Sequence, residues 1–291
     1  MKKLLTLLTV PLLLISSCNK TPIEESNAPI ISSKIEVEPA ETYTKENHTL
    51  YKGEQKIVGE LYLPNNDLDF FPLLIVSHGF NNSMDNTRND AIEFVKLGFA
   101  TFIFDFIGGG SSIKSDGKMT EMSVLTEVDD LNTVIEYLIE LDEIDENNIF
   151  LMGHSQGGFV STYVACTRDD IKGLINFYPA YVIRDDAIKA YATEDLVPDT
   201  YIVMGYITVG KIYWKDATSF DIYDMMPDYD KDVLIIHGTA DSIVPYEYAV
   251  RASETFPSAE LMTIQGADHG FSGQNRTNAL DKSKEYLLEH L

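Results

Sequence analysis

The stretch Gly153-His154-Ser155-Gln156-Gly157 constrains this chain more than any other. An apolar run, Asn148-Ile149-Phe150-Leu151-Met152, leads into it, and Gly158-Phe159-Val160-Ser161-Thr162-Tyr163-Val164-Ala165 leads out. The first suits a strand and the second a helix, so the pentapeptide predicts strand, sharp turn and helix in direct succession. So tight a turn strains the backbone and draws it close to its surroundings, which demands small or absent side chains beside the serine. It also holds the hydroxyl clear of the backbone at the C-terminal edge of a sheet. There the helix start offers free N–H groups and a positive dipole end to a developing oxyanion. Ser155 is the candidate nucleophile.

At 291 residues the chain can hold one large α/β domain or two small ones, and 44% hydrophobic and 11% aromatic content is enough for a sizeable core. A formal net charge of −24 argues against nucleic acid and anionic membrane surfaces as partners, since both require basic patches. The N-terminus reads as a targeting segment. Lys2-Lys3 is a positive start, Leu4 to Ile15 is apolar but too short for a comfortable membrane span, and Ile15-Ser16-Ser17-Cys18 resembles the lipobox of bacterial lipoproteins. Residues 1–17 are therefore expected to be a signal peptide and Cys18 a lipidated residue. That places the protein outside the cytoplasm, anchored in the periplasm or at the cell surface. Cleavage would remove Lys2 and Lys3 and leave a charge of −24 − 2 = −26. Cys166 would then be a lone cysteine, read as a small hydrophobe.

Residues 18–42 are rich in Pro, Ser and Glu without periodicity and read as a flexible tether, with the folded domain over 43–291. Tyr43 to Lys52 and Lys56 to Leu63 alternate around Gly53-Glu54, as an antiparallel pair at a sheet edge would. Pro72 to Ser77, Phe99 to Phe104, Gly173 to Phe177, Asp232 to Ile236 and Ala259 to Ile264 read as further strands. Asp90 to Leu97, Ser123 to Leu141, Tyr246 to Phe256 and Arg276 to His290 read as helices. No internal repeat is visible. The alternation predicts a mostly parallel, doubly wound sheet. It breaks over about 178–230, too long for a simple connection, which reads as a cap inserted between the sixth and seventh strands.

A serine nucleophile needs a base, and the base needs an orienting acid. Of six histidines, His48 and His290 fall on an edge strand and the C-terminal tail, and His154 lies within the turn, pointing away from the serine. His78 and His237 end apolar strands, where an imidazole commonly satisfies loop backbone. His269, in Gly266-Ala267-Asp268-His269-Gly270-Phe271 after the last strand, reaches the same sheet edge as Ser155 and is the candidate base. Asp241, in Ile236-His237-Gly238-Thr239-Ala240-Asp241, is the candidate acid, with Asp268 and Asp105 as competitors. The amides of Gln156 and Phe80 are the candidate oxyanion donors. Gly108-Gly109-Gly110 lacks the Gly-Lys-Ser/Thr of a phosphate-binding loop, so nucleotide binding is not expected.

These motifs together resemble the α/β-hydrolases and, more narrowly, the bacterial cinnamoyl (feruloyl) esterases with a small inserted cap. In those esterases a Pro-Ala stretch leads to a cap aspartate, which a later cap tyrosine joins at the phenolic end of the substrate. By that resemblance Pro179-Ala180 leads to Asp186, Gly210-Lys211-Ile212-Tyr213 supplies Tyr213, and the two would meet the ring hydroxyl. His78 and Trp214 are further candidates at the substrate. The family's Asp-x-x-Gly-His-Gly loop is here Asp105-Phe106-Ile107-Gly108-Gly109-Gly110, and Arg184-Asp185-Asp186 is a more charged lead-in, so both depart from the pattern. The resemblance implies a lipid-anchored serine ester hydrolase acting on hydroxycinnamoyl esters of plant polysaccharide, with no metal or cofactor. An acetyl or short-acyl esterase is the nearest alternative. A serine peptidase of the prolyl oligopeptidase type has no room here for its β-propeller, and a catalytically silent surface binding module is the reading from another class.

Overall fold

The computed structural model describes residues 37–291. The expected signal peptide, Cys18 and the tether as far as residue 36 lie outside the described residues. The last six residues read as tether do not stand free of the domain. Ala40 is buried, its N–H donates to the Lys96 carbonyl at 3.0 Å, and the Glu38 carbonyl accepts from Asn66 Nδ2 at 2.9 Å.

Eight strands form one sheet: β1 (Tyr43–Lys52), β2 (Gln55–Pro64), β3 (Phe71–Ser77), β4 (Ala100–Phe104), β5 (Ile144–His154), β6 (Ile171–Phe177), β9 (Val233–Gly238) and β10 (Ala259–Ile264). Their order is β1-β2-β4-β3-β5-β6-β9-β10. The β1–β2 hairpin joins antiparallel at one edge, and every pair from β4 onward is parallel. The central strands are buried on both faces, which is why they read as continuous apolar runs. Helices α1 (Arg88–Leu97) and α8 (Gly273–Glu289) cover one face through Phe94, Val95, Leu280 and Leu287. Helices α2 (Val124–Leu138), α3 (Gln156–Thr167) and α7 (Tyr246–Thr255) cover the other. The fold is that of an α/β-hydrolase.

Helix α2 shows how sequence sets the layers. Ser123 caps it, accepting from Thr126 N–H, while Thr126 Oγ1 accepts from Ser123 N–H at 2.8 Å. Val124, Val128, Leu131, Ile135 and Leu138 recur at helical spacing and are buried. Glu127 and Asp130 lie on the same buried face, three residues apart, so each must find partners inside the protein. Cys166 of α3 is half-buried, and burial pushes its thiol up to about 12, in keeping with a packing role.

Between β6 and β9 the chain builds its own small structure. It comprises α4 (Ile183–Ala190), a hairpin of β7 (Thr200–Val203) and β8 (Ile207–Gly210), α5 (Lys211–Thr218) and α6 (Ile222–Met225). The hairpin was not foreseen from the sequence. Its signal was there, in Tyr201-Ile202-Val203 and Ile207-Thr208-Val209 flanking Met204-Gly205, a pair that takes positive φ of 52° and 79° as a tight hairpin turn requires. Met204 is an unusual residue for that backbone, which hid it.

Glu60 of β2 carries the tightest ion cluster of the antiparallel edge. Arg88 grips it with Nε at 3.0 Å and Nη2 at 2.9 Å, and the Tyr62 hydroxyl donates at 2.7 Å. Burial by itself would raise its pKa, but these donors outweigh burial and hold it at about 2 against an ordinary 4.5. A carboxylate depressed in the folded state contributes stability that is complete above about pH 4.5 and is lost as pH falls towards 2. In urea titrations Glu60→Gln is therefore expected to be less stable than the parent by roughly 1–3 kcal/mol at pH 7, with the gap closing below pH 4. A gap independent of pH would contradict this.

Candidate active site

The elements that reach the C-terminal sheet edge converge because neighbouring strands end in register. Ser77 pairs with Gly153, Gly153 with Asn176, Phe177 with Ile236, and Thr263 with His237. The chain leaves β5 at His154 and enters α3 at Gln156, so Ser155 alone makes the turn, with φ 53° and ψ −117°. That conformation is costly for a residue with a Cβ and must be imposed by its surroundings. A Cβ on Gly157 would stand 2.5 Å from the carbonyl oxygens of both Ser77 and His78. Glycine is thus required where α3 starts against the end of β3. Ser155 N–H donates to the Phe177 carbonyl at 2.9 Å, and its own carbonyl accepts from Ala180 N–H at 2.9 Å.

The structure brings Ser155, His269 and Asp241 together. Ser155 Oγ lies 3.1 Å from His269 Nε2, and His269 Nδ1 lies 2.8 Å from Asp241 Oδ2. Asp241 is the better supplied of the competing acids. Its Oδ1 accepts from the N–H groups of Ile243 at 2.9 Å and Val244 at 2.8 Å, and His237 Nε2 stands 3.2 Å from Oδ2. Burial opposes ionisation, but hydrogen bonds from His237, His269 and Val244 outweigh it and hold the carboxyl well below the usual carboxylate range. Asp268 is instead a clasp. Its Oδ1 accepts from Ser242 N–H and His269 N–H, both at 2.8 Å, joining the loop that carries Asp241 to the loop that carries His269. Asp105 is buried and accepts from the backbone of Met84 and Lys114. Tyr178, at φ 39°, packs its ring 4.6 Å from that of His269.

Around Ser155 the amides of Phe80 and Gln156 have no hydrogen-bond acceptor among the described residues. Gln156 opens α3, where a helix leaves its first N–H groups unpaired. The Phe80 loop comes close enough that a Cβ on Gly79 would touch Ser155 Cβ at 3.1 Å. The Gln156 side chain was not singled out from the sequence. Its Nε2 donates to Glu127 Oε2 at 2.8 Å and its Oε1 accepts from the Tyr213 hydroxyl at 2.7 Å. Burial pushes both Glu127 and Tyr213 well above their ordinary pKa values, favouring their neutral forms.

Two of the candidate substrate contacts are committed to backbone. His78 lines a cavity beside Ser155, but both its ring nitrogens are engaged. It is 1% exposed, its Nδ1–H donates to the Gly79 carbonyl at 2.8 Å, and its Nε2 accepts from Phe106 N–H at 3.2 Å. Burial lowers its pKa, so it is a neutral brace for the Phe80 loop. Trp214 likewise spends its Nε1–H on the carbonyls of Ala187 at 2.9 Å and Tyr191 at 3.0 Å, tying α5 to α4.

Two cavities meet at Ser155, sharing Phe80, Met204 and Ile243. The larger, about 670 Å³, is mainly apolar, with Val182, Ile183 and Val203 in its wall beside Tyr213 and Asp186. Partial burial raises the Asp186 pKa, against the pull of Lys189 and with help from Asp185. The smaller, about 450 Å³, is bordered by His269, Asn81, Asn82, Asn86, Tyr206 and Arg276. The β7–β8 turn divides them.

Residues 71–209 match the family model described as serine aminopeptidase, S33, and residues 212–290 match the one described as TAP-like protein. Among solved structures the chain is similar to Est1E from Butyrivibrio proteoclasticus, determined with ferulic acid bound. The TM-score is 0.77 at 28% identity, covering 84% of this chain and 98% of Est1E. Among curated proteins it is similar to the mitochondrial palmitoyl-protein thioesterase ABHD10 of Mus musculus, 25% identical over 213 residues that span 68% of this chain and 69% of the relative.

An alkyl fluorophosphonate is expected to label the wild-type protein at one site. Ser155→Ala should abolish labelling, and His269→Ala should slow it on the order of 10³-fold or more, as loss of a base does to a serine nucleophile. Labelling that survives Ser155→Ala would place the nucleophile elsewhere.

Proposed function

Taking the chain as an α/β-hydrolase of the esterase or thioesterase type that resembles the bacterial cinnamoyl esterases, we propose that it is a serine carboxylic ester hydrolase releasing hydroxycinnamoyl groups from plant polysaccharide. The observation that carries the reading is the alignment of Asp241, His269 and Ser155 at 2.8 and 3.1 Å beside two unengaged backbone amides. Ser155 Oγ attacks the ester carbonyl carbon as its proton passes to His269 Nε2. The resulting oxyanion is held by the amides of Phe80 and Gln156, each such donor being worth about 2.7–4 kcal/mol of transition-state stabilisation. Collapse breaks the carbonyl–alkoxy bond, and His269 returns the proton to the departing oxygen. Water repeats the sequence on the acyl-enzyme, releasing the acid and restoring Ser155. Asp241 stays ionised throughout and stabilises the imidazolium.

His269 decides which cavity takes which half of the ester. The leaving oxygen must lie against Nε2, and His269 borders only the smaller cavity. The alcohol therefore departs there and the acyl group occupies the larger, apolar one. A planar aromatic acid suits that space, and the ferulic acid bound to Est1E supports it. Asp186 and Tyr213 share its wall, where a phenol would need polar partners. Tyr213 already donates to Gln156, so its oxygen is left to accept from a ligand hydroxyl. A long-chain thioester is the second reading, supported by the apolar lining and by the thioesterase relative. By the proposed lipoprotein signal, the enzyme is exported and membrane-anchored through Cys18.

Hydrolysis of methyl ferulate, p-nitrophenyl acetate, p-nitrophenyl butyrate and a palmitoyl thioester separates these readings. Methyl ferulate is expected to give the highest kcat/KM, falling about tenfold or more in Asp186→Ala as one polar contact of roughly 1.4 kcal/mol is lost. Preference for acetate would leave a short-acyl esterase, and preference for the palmitoyl thioester a thioesterase.

A further inference from the structure

Glu127 is a buried acid that the reaction as written does not use. It is 1% exposed, on the face of α2 that also buries Val124, Val128 and Leu131, where an apolar side chain would cost less than a carboxyl. Groups kept at such a cost cluster at functional sites. Among the described residues its carboxyl has one hydrogen-bond partner, Gln156, whose Nε2 donates at 2.8 Å. The carboxamide of Gln156 is itself buried, and its other end accepts from the Tyr213 hydroxyl at 2.7 Å. It is therefore gripped from both sides, by α2 and by α5 of the insertion.

Both ends of this chain bear on the oxyanion donors. The Ser155 carbonyl accepts from Ala180 N–H at 2.9 Å, which holds one end of the Ser155–Gln156 peptide. The N–H end must stay unbonded to serve an oxyanion, so what restrains it is the Gln156 side chain. Phe80 carries the second amide, and its ring packs on that of Tyr213, with centroids 5.6 Å apart. Tyr213 thus bears on both donors, through its hydroxyl on one side and its ring on the other. Such donors act by being set before charge develops, at about 2.7–3.1 Å from the place the oxyanion will take.

We propose that Glu127, the Gln156 carboxamide and Tyr213 form a brace that positions the two oxyanion amides. In this role they are positioning residues, acting through the backbone of Gln156 and Phe80. The inference rests on the reading above in taking Ser155 as the nucleophile and those amides as its oxyanion donors. It is independent of which acyl group the larger cavity holds. A contact to a phenol serves only acyl groups that carry one, whereas a braced oxyanion site serves every ester.

The test therefore uses p-nitrophenyl acetate, whose acyl group has no hydroxyl, and a short alkyl trifluoromethyl ketone. In the ketone complex Ser155 Oγ bonds the carbonyl carbon, the C=O pair moves onto the oxygen as an alkoxide, and the serine proton stays on His269. Fluorophosphonate labelling at Ser155 secures the nucleophile first, and the variants then judge the brace alone. Tyr213→Phe, which keeps the ring, and Glu127→Leu are each expected to lower kcat for acetate about tenfold, less than loss of a whole donor, and to raise the ketone Ki by a similar factor. Glu127→Gln still offers Gln156 a neutral acceptor, the form burial favours, and should stay within about threefold of the parent. In a Gln156→Leu background neither Tyr213→Phe nor Glu127→Leu should cost anything further, because both act through the same side chain. Tyr213→Phe and Glu127→Leu at full activity on acetate, with loss only on methyl ferulate, would overturn the brace and leave Tyr213 a contact to a phenol. Losses that add in full on Gln156→Leu would overturn it as well, and so would an unchanged ketone Ki.

Discussion

The whole site hangs on a turn that has no spare residue. β5 ends at His154 and α3 begins at Gln156, so Ser155 must reverse the backbone alone at φ 53°. A left-handed serine is held only if everything around it is fixed. Gly157 lies against the carbonyls of Ser77, the last residue of β3, and His78, Phe177 receives the Ser155 N–H, and Ala180 donates back to its carbonyl. Three adjacent strands and the first residues of the insertion thus share in imposing one unfavourable dihedral. The exposed hydroxyl and the free amide of Gln156 are two consequences of that single constraint.

Buried carboxyl groups in this protein follow opposite courses, and their surroundings explain which. Asp241 receives two backbone N–H groups and lies against two imidazoles, so it is held as an anion despite being out of water. Glu127, more deeply buried, receives a single bond from a neutral carboxamide, and burial prevails. The first arrangement sets a carboxylate against His269 Nδ1. The second leaves a polar group in an apolar helix face, where it accepts from Gln156, the residue after Ser155.

Through Gln156 the insertion is tied to the helices that cover the sheet. Tyr213 on α5 donates to Gln156, which donates to Glu127 on α2, a chain crossing three elements within two hydrogen bonds. Ser123, the cap of α2, also bonds Asp216 of α5 at 2.5 Å. Residues of the insertion that look like a generic aromatic lining divide on inspection. Trp214 is spent on holding α4 and α5 together, Tyr213 is half committed, and Tyr206 is left exposed.

Much of this was legible in the residues because it depends on local chemistry. Continuous apolar runs gave the buried strands, and the helical spacing of Val124, Val128 and Leu131 gave α2. Gly-x-Ser-x-Gly between a strand and a helix gave the turn, and the positions of Asp241 and His269 just past later strands gave their arrival at one edge. Spacing alone could not say what each buried polar group would bond to, since partners lie far apart in the chain. Hence His78 and Trp214, plausible at the substrate by position, proved to be satisfied by backbone. The same reason hid the Gln156 side chain, whose partners lie 29 and 57 residues away. The hairpin at Met204-Gly205 escaped because its turn places a methionine where glycine or asparagine is usual. What the sequence settled was the strained serine and the alternation of strands and helices that serves it. What only the tertiary structure decided was the division of space around that serine, because cavities are bounded by contacts between elements and not by any one of them.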